Sequence, residues 1–134
     1  MNANTLATPA TKGVWIGRIL SGLAVLFLLF DGVIKLIKIQ PVTDAFAQLG
    51  FPDRLAFTIG IINLVTAVLY AIPKTAVLGA ILLTAVLGGA IASHVRVGDP
   101  LFSHVLFGVY LGLFVWGGLY LRDERLRALI PFRS

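Results

Sequence analysis

The sequence contains no cysteine. Disulfides, thiolate metal sites and thiol redox chemistry are therefore excluded from this chain, and any redox role must use a bound cofactor or a partner. Charge is scarce too. Only 13% of the 134 residues are Asp, Glu, Lys or Arg, against 58% that are hydrophobic. With a mean hydropathy of +0.96, the chain carries more apolar surface than a soluble core of this length can hide. A bilayer accepts helices that are apolar on every side, so one compact membrane domain is expected. The formal net charge of +5 does not point to nucleic acid. The basic residues are scattered at the ends of apolar segments, where they would meet anionic headgroups.

Four segments have the length and apolarity of a span: Val14 to Ile37, Leu55 to Ile72, Thr75 to Val95 and Leu101 to Leu121. The fold class expected is an all-α, integral membrane four-helix transmembrane bundle, with a short interfacial helix between helices 1 and 2. Residues 1 to 12 read as a disordered N-terminal tail, residues 13 to 122 as the transmembrane domain and residues 123 to 134 as a cytoplasmic amphipathic tail. The N-terminal MNANTLATPATK lacks the charged start of a secretory signal, and the first apolar segment is too long for a signal core, so it should remain as a membrane helix. Lys12, Arg18, Lys74, Arg122, Arg125, Arg127 and Arg133 outnumber Lys35, Lys38, Arg54 and Arg96 on the opposite side. Both termini are then expected in the cytoplasm of a bacterial inner membrane.

The connections are short. Pro73 and Lys74 alone separate the second and third spans, and VGDP separates the third from the fourth. Between the first two lies QPVTDAFAQLGFPDR, where Val42, Ala45, Phe46 and Leu49 share one helical face, with Pro41 suited to a helix start and Gly50 to its end. Leu126, Leu129 and Ile130 oppose Arg125 and Arg127 in a second short amphipathic piece. Small residues recur every fourth position at Gly13, Gly17 and Ser21, at Ala80, Thr84, Gly88 and Ala92, and at Gly108 and Gly112. Such stripes let membrane helices approach closely, although small residues are common in membrane helices in any case.

Ionisable groups within spans are costly and need a partner, an interface or a purpose. Asp31 and Lys35 stand four apart, acid first, which suits a pair along one helix; mutual neutralisation with Lys35 reaching toward the interface is the plainer role. His94 lies about one turn before the end of the third span and His104 about one turn into the fourth. Two imidazoles at one depth could relay protons or hold a polar headgroup, whereas a two-histidine metal site would need Asp31 or Asp99 to complete it, and no metal is assigned. Asp99 followed by Pro100 reads as the N-cap and first residue of the fourth helix. Arg96 sits where the chain leaves the membrane and reads as a headgroup contact or a ligand contact. The topology brings Asp31, Lys35, His94, Arg96, Asp99 and His104 toward the outer end of the bundle, where Asp31, Lys35, His94, Arg96 and His104 form a candidate ligand site. Asn63, Thr66 and Tyr70 form a polar stripe on the second span, for interhelical hydrogen bonding or as a polar path with Asn63 innermost.

WIGRILSGLAVLFLLFDGVIKL, IPKTAVLGAILLTAVLGGAIASHVRVGDPLFSH and GLYLRDERLRALIP resemble the DoxX-like family of small bacterial membrane proteins, over about residues 15 to 131. The resemblance implies a four-helix inner-membrane protein. The family takes its name from a subunit of a thiosulfate:quinone oxidoreductase, and relatives are associated with membrane redox complexes. It implies a quinone as the candidate cofactor, but no catalytic residue carries over, and the chain has no recognisable haem or flavin motif. Two functions stay open. One is binding of a quinone or other lipophilic ligand at the outer polar cluster, with Asp31 and Lys35 tuning the histidines. The other is a non-catalytic membrane subunit or assembly factor that contacts other membrane proteins, as a homo-oligomer or beside redox partner subunits.

Overall fold

The computed structural model describes residues 11 to 132, so the tail expected over residues 1 to 12 lies almost wholly outside the described residues. Its last two members begin the first helix. Thr11 is the N-cap, its hydroxyl accepting from the Val14 amide at 3.3 Å, and helix α1 runs Lys12–Ile37. It ends at Lys38, a non-glycine residue in the left-handed region at φ 50°, whose amide returns to the Ile34 carbonyl. Pro41 lies in the first turn of α2 (Gln40–Gln48), where a missing N–H costs nothing. Val42 and Phe46 are buried against Ala56, alongside Ile34, Ile39, Phe51 and Leu55, while Ala45 is exposed. The apolar face of α2 therefore folds onto the end of the bundle.

Helix α3 (Leu55–Ala71) is followed by a single 3-10 turn (Pro73–Thr75) and by α4 (Ala76–Arg96). This hairpin is tight because Gly79 has no side chain: a Cβ there would lie 2.4 Å from the Tyr70 nitrogen. The Thr75 hydroxyl donates to the Leu69 carbonyl at 2.7 Å and ties the corner from inside. After α4, Gly98 at φ +74° turns the chain. Residues Leu101–Val105 then form a π-helical turn before α5 (Phe107–Arg122), and α6 (Glu124–Leu129) closes the described chain. All regular structure among the described residues is helical.

Helix α1 packs against α3 and α5, and α4 packs against the same two, so α1 and α4 stand across the bundle from each other. Leu28, Ala67, Tyr70, Leu83, Leu111, Val115 and Leu119 form the shared core. Outward, Trp15, Ile19, Leu26, Phe30, Leu78, Ile81 and Leu113 are exposed, an apolar perimeter whose natural solvent is lipid. Three stretches, Lys12–Ile37, Pro73–Arg96 and Leu101–Arg122, are long and apolar enough to cross a membrane. Helix α3, apolar over its 17 residues, is shorter. The chain is thus a multi-pass membrane protein.

The small residues divide by what they meet. A Cβ on Gly17 would lie 2.6 Å from the Gly118 carbonyl oxygen, and one on Gly118 would lie 2.4 Å from the Ser21 hydroxyl. The Gly17 and Ser21 pair is therefore the seam between α1 and α5. Gly108 packs in the same way on Ile91 of α4. Gly13 and Gly88 touch no other helix among the described residues. A further crossing, Gly32 of α1 on Gly60 of α3, belongs to no repeat: a Cβ on Gly60 would lie 2.9 Å from the Gly32 oxygen.

Candidate functional site

The crossing of Gly32 and Gly60 brings α1 and α3 close one residue from Asp31 and one turn from Asn63. Asp31 pairs with Lys35 through Oδ2, and the same oxygen accepts from Asn63 Nδ2 at 2.8 Å. Asn63 is only 3% exposed, and its Oδ1 is buried with no hydrogen-bond partner among the described residues. A buried acceptor without a donor costs on the order of 1–3 kcal/mol, so this amide marks where a donor group would be gained most readily. The polar stripe expected along α3 does not run on from here. The Thr66 hydroxyl donates back to the Ile62 and Asn63 carbonyls of its own helix, at 2.9 and 3.0 Å. Tyr70 instead turns toward α1 and α5.

The histidine loop forms a second group. His94 Nδ1 lies 2.5 Å from Asp99 Oδ2, and both side chains are partly buried. Asp99 is therefore not the N-cap expected from its place before Pro100. The left-handed Gly98 curls the loop so that the Asp99 amide donates to the His94 carbonyl at 3.1 Å and the carboxylate meets the imidazole. Pro100 takes the cap position of the π-helical turn, with no side-chain cap bond. His104 lies inside that turn, where the Val105 amide donates to Pro100 and the Leu106 amide to Leu101. The two imidazole rings meet edge to face, with centroids 5.7 Å apart. Ser103 Oγ is 2.7 Å from His104 Nδ1. Each ring is thus held by Nδ1, and neither Nε2 has a partner among the described residues. Among the described residues, no three His, Cys, Asp or Glu side chains are grouped to hold a metal ion.

Arg96, one turn-half beyond His94, goes elsewhere. It donates to the Leu49 carbonyl at the end of α2 and lies over the Phe51 ring, 5.9 Å from its centroid. Gly50 at φ +80° lets the link between α2 and α3 pass beneath it. The five candidate residues thus fall into three sets: Asp31 with Lys35, His94 with His104, and Arg96 alone on the link. No hydrogen bond or ion pair joins the first set to the second among the described residues. For His94 the ring topology is the reason, because α1 and α4 occupy opposite corners, and the His104 ring is turned toward His94. Ser103 and Asn63 belong to the local geometry although sequence spacing did not group them with the site, and Asp99, expected at the outer end mainly as a helix cap, serves His94 instead.

The opposite end of the bundle holds one more network. Arg122 Nε donates to Ser21 Oγ at 3.1 Å, Ser21 lies 2.8 Å from the Tyr70 hydroxyl, and Tyr70 donates to the Val115 carbonyl at 2.5 Å. Since the Tyr70 proton is committed to Val115, the Ser21 proton is the one that goes to Tyr70. Comparison with curated proteins and with solved structures gives no match. The sequence model of the DoxX-like family, by contrast, matches residues 19–118. That stretch takes in the crossing of Gly32 and Gly60, the Asp31 pair and the histidine loop, and the chain belongs to the DoxX-like family.

Proposed function

We propose that this protein crosses the inner membrane four times, with both termini in the cytoplasm, and holds a quinone or another lipophilic ligand at its histidine end as part of a membrane redox system. The observation that carries this reading is the His94 and Asp99 pair beside His104. A carboxylate on Nδ1 selects the imidazole tautomer whose Nε2 is an acceptor, ready for the hydroxyl of a reduced quinone head; the protonated ring donates to a quinone carbonyl instead. Exposed Val95, Leu101 and Phe102 supply apolar surface next to that polar head. Asp31 and Lys35 enter through charge at a distance, and as a neutral pair they should matter less to retention than the histidines. Arg96 would hold the α2–α3 link beside the ligand.

Mass spectrometry of organic extracts tests the reading, with wild-type protein beside the His94→Ala/His104→Ala double variant. A quinone or similar lipid retained by the wild type alone supports it. Equal retention by a folded double variant would remove the histidines from the site.

A non-catalytic subunit or assembly factor is the second reading, favoured by the open face of α4. Cβ atoms at Gly88 and Gly89 would meet nothing within 4 Å, and Ala85 and Ala92 beside them are exposed, so another membrane helix could approach there. Crosslinking in native membranes should then capture one constant partner; recovery of the free chain alone counts against it.

A further inference from the structure

Arg18 and Arg122 lie at the end of the bundle away from the histidines and line one cleft of about 390 Å³ together with Ser21, Gly22, Val25, Leu26, Tyr70 and Ala71. Neither guanidinium pairs with a carboxylate among the described residues. The nearest acid in sequence, Asp123, caps α6 by accepting from the Arg125 amide at 2.9 Å and faces the Arg125 side chain. Arg18 is placed over the Trp15 ring at 4.9 Å, and Arg122 over the Tyr70 ring at 5.5 Å. Arg122 spends Nε on Ser21, which leaves both terminal nitrogens for another acceptor.

Two cations that pair with no carboxylate among the described residues call for a counter-ion, and a guanidinium fork suits a phosphate. The rest of the cleft says what kind of molecule carries it. Arg18, Gly22, Val25 and Leu26 share one face of α1, so the wall changes from charged to apolar over about 12 Å, taking a rise of roughly 1.5 Å per residue. A headgroup followed by a chain matches that gradient, whereas a free anion would use only the rim. We propose that Arg18 and Arg122 hold the phosphate of an anionic phospholipid in this cleft, with an acyl chain laid along Gly22, Val25 and Leu26. Arg122 is fixed for the task by the hydrogen-bond chain through Ser21 and Tyr70 to Val115, and that chain links α1, α3 and α5. Lipid binding here therefore bears on the packing of three helices.

Trp15, in contact with Arg18, is a built-in reporter. In a Trp116→Phe background, the purified full chain in detergent micelles would be titrated with phosphatidylglycerol, phosphatidylcholine and inorganic phosphate while Trp15 emission is followed. The expected result is a saturable change with phosphatidylglycerol alone, shifted to about tenfold higher lipid in Arg18→Gln and further in Arg18→Gln/Arg122→Gln. The Arg18 side chain makes no hydrogen bond among the described residues, so its variant keeps the Ser21 chain intact and guards against simple unfolding. His94→Ala/His104→Ala should titrate as wild type, which keeps this site separate from the histidine end. Equal responses to the two lipids, or an unchanged midpoint in folded Arg18→Gln/Arg122→Gln, overturn the proposal. Reproduction of the full change by inorganic phosphate would also overturn it, assigning the site to a free anion.

Discussion

Asp31 sits in the interior of an apolar helix, and its carboxylate survives there because one oxygen receives both Lys35 and Asn63. Taking away one charge of such a pair leaves the other uncompensated, which costs more than losing both. Lys35→Met should therefore destabilise the protein by about 1–3 kcal/mol, and Asp31→Asn/Lys35→Met by clearly less. Thermal unfolding in detergent of the two variants beside wild type measures this, and equal losses would show that the pair is screened by solvent or lipid headgroups. Asn63 contributes differently. Its Oδ1 is the buried acceptor without a partner, so Asn63→Asp would place a second acid against Asp31 and should lower stability further.

Among the helices, what decides closeness is whether a glycine faces a neighbour. Gly118 and Gly88 look alike in sequence, yet a Cβ on the first would strike Ser21 while one on the second meets open space. Gly118→Ala should cost about 1–3 kcal/mol through forced separation of α1 and α5. Gly88→Ala should be neutral or gain up to about 1 kcal/mol from helix propensity, if lipid covers that face. A loss of function or of a captured partner in Gly88→Ala, with stability intact, would instead favour the reading in which α4 docks another helix. The π-helical turn at Leu101–Val105 is the other departure from regularity, and it places His104 against His94. Deleting one residue from that turn should restore an α-helical start and rotate His104 away without unfolding α5, and on the proposed reading the lipid extract of that variant should lose the ligand.

For the whole molecule, the decisive question is whether α3 crosses the bilayer. At 17 residues it is at the short end of a span, about 26 Å long at the usual rise. The absence of cysteine makes the test clean. Single substitutions Lys12→Cys and Lys74→Cys should be labelled by an impermeant thiol reagent from one side of the membrane, and Asp53→Cys and Val97→Cys from the other. Labelling of Lys74→Cys and Asp53→Cys from the same side would show that α3 does not span.

The helical, membrane-embedded character of this chain was written in its composition, because apolar runs of this length have few other stable solutions than helices in lipid. The short links, the start of α2 at Pro41 and the pairing of Asp31 with Lys35 were legible for the same local reason: each depends on residues within a turn or two of one another. The seam at Gly118 and the gap at Gly88 were not, since a repeat of small residues does not say which side meets a neighbour. Nor did depth along the helices reveal that Asp31 and His94 stand at opposite corners, that Asp99 serves His94 instead of capping a helix, or that Arg18 and Arg122 share a cleft. Those relations join residues far apart in the chain, and only the order in which the four long helices pack around one another sets them.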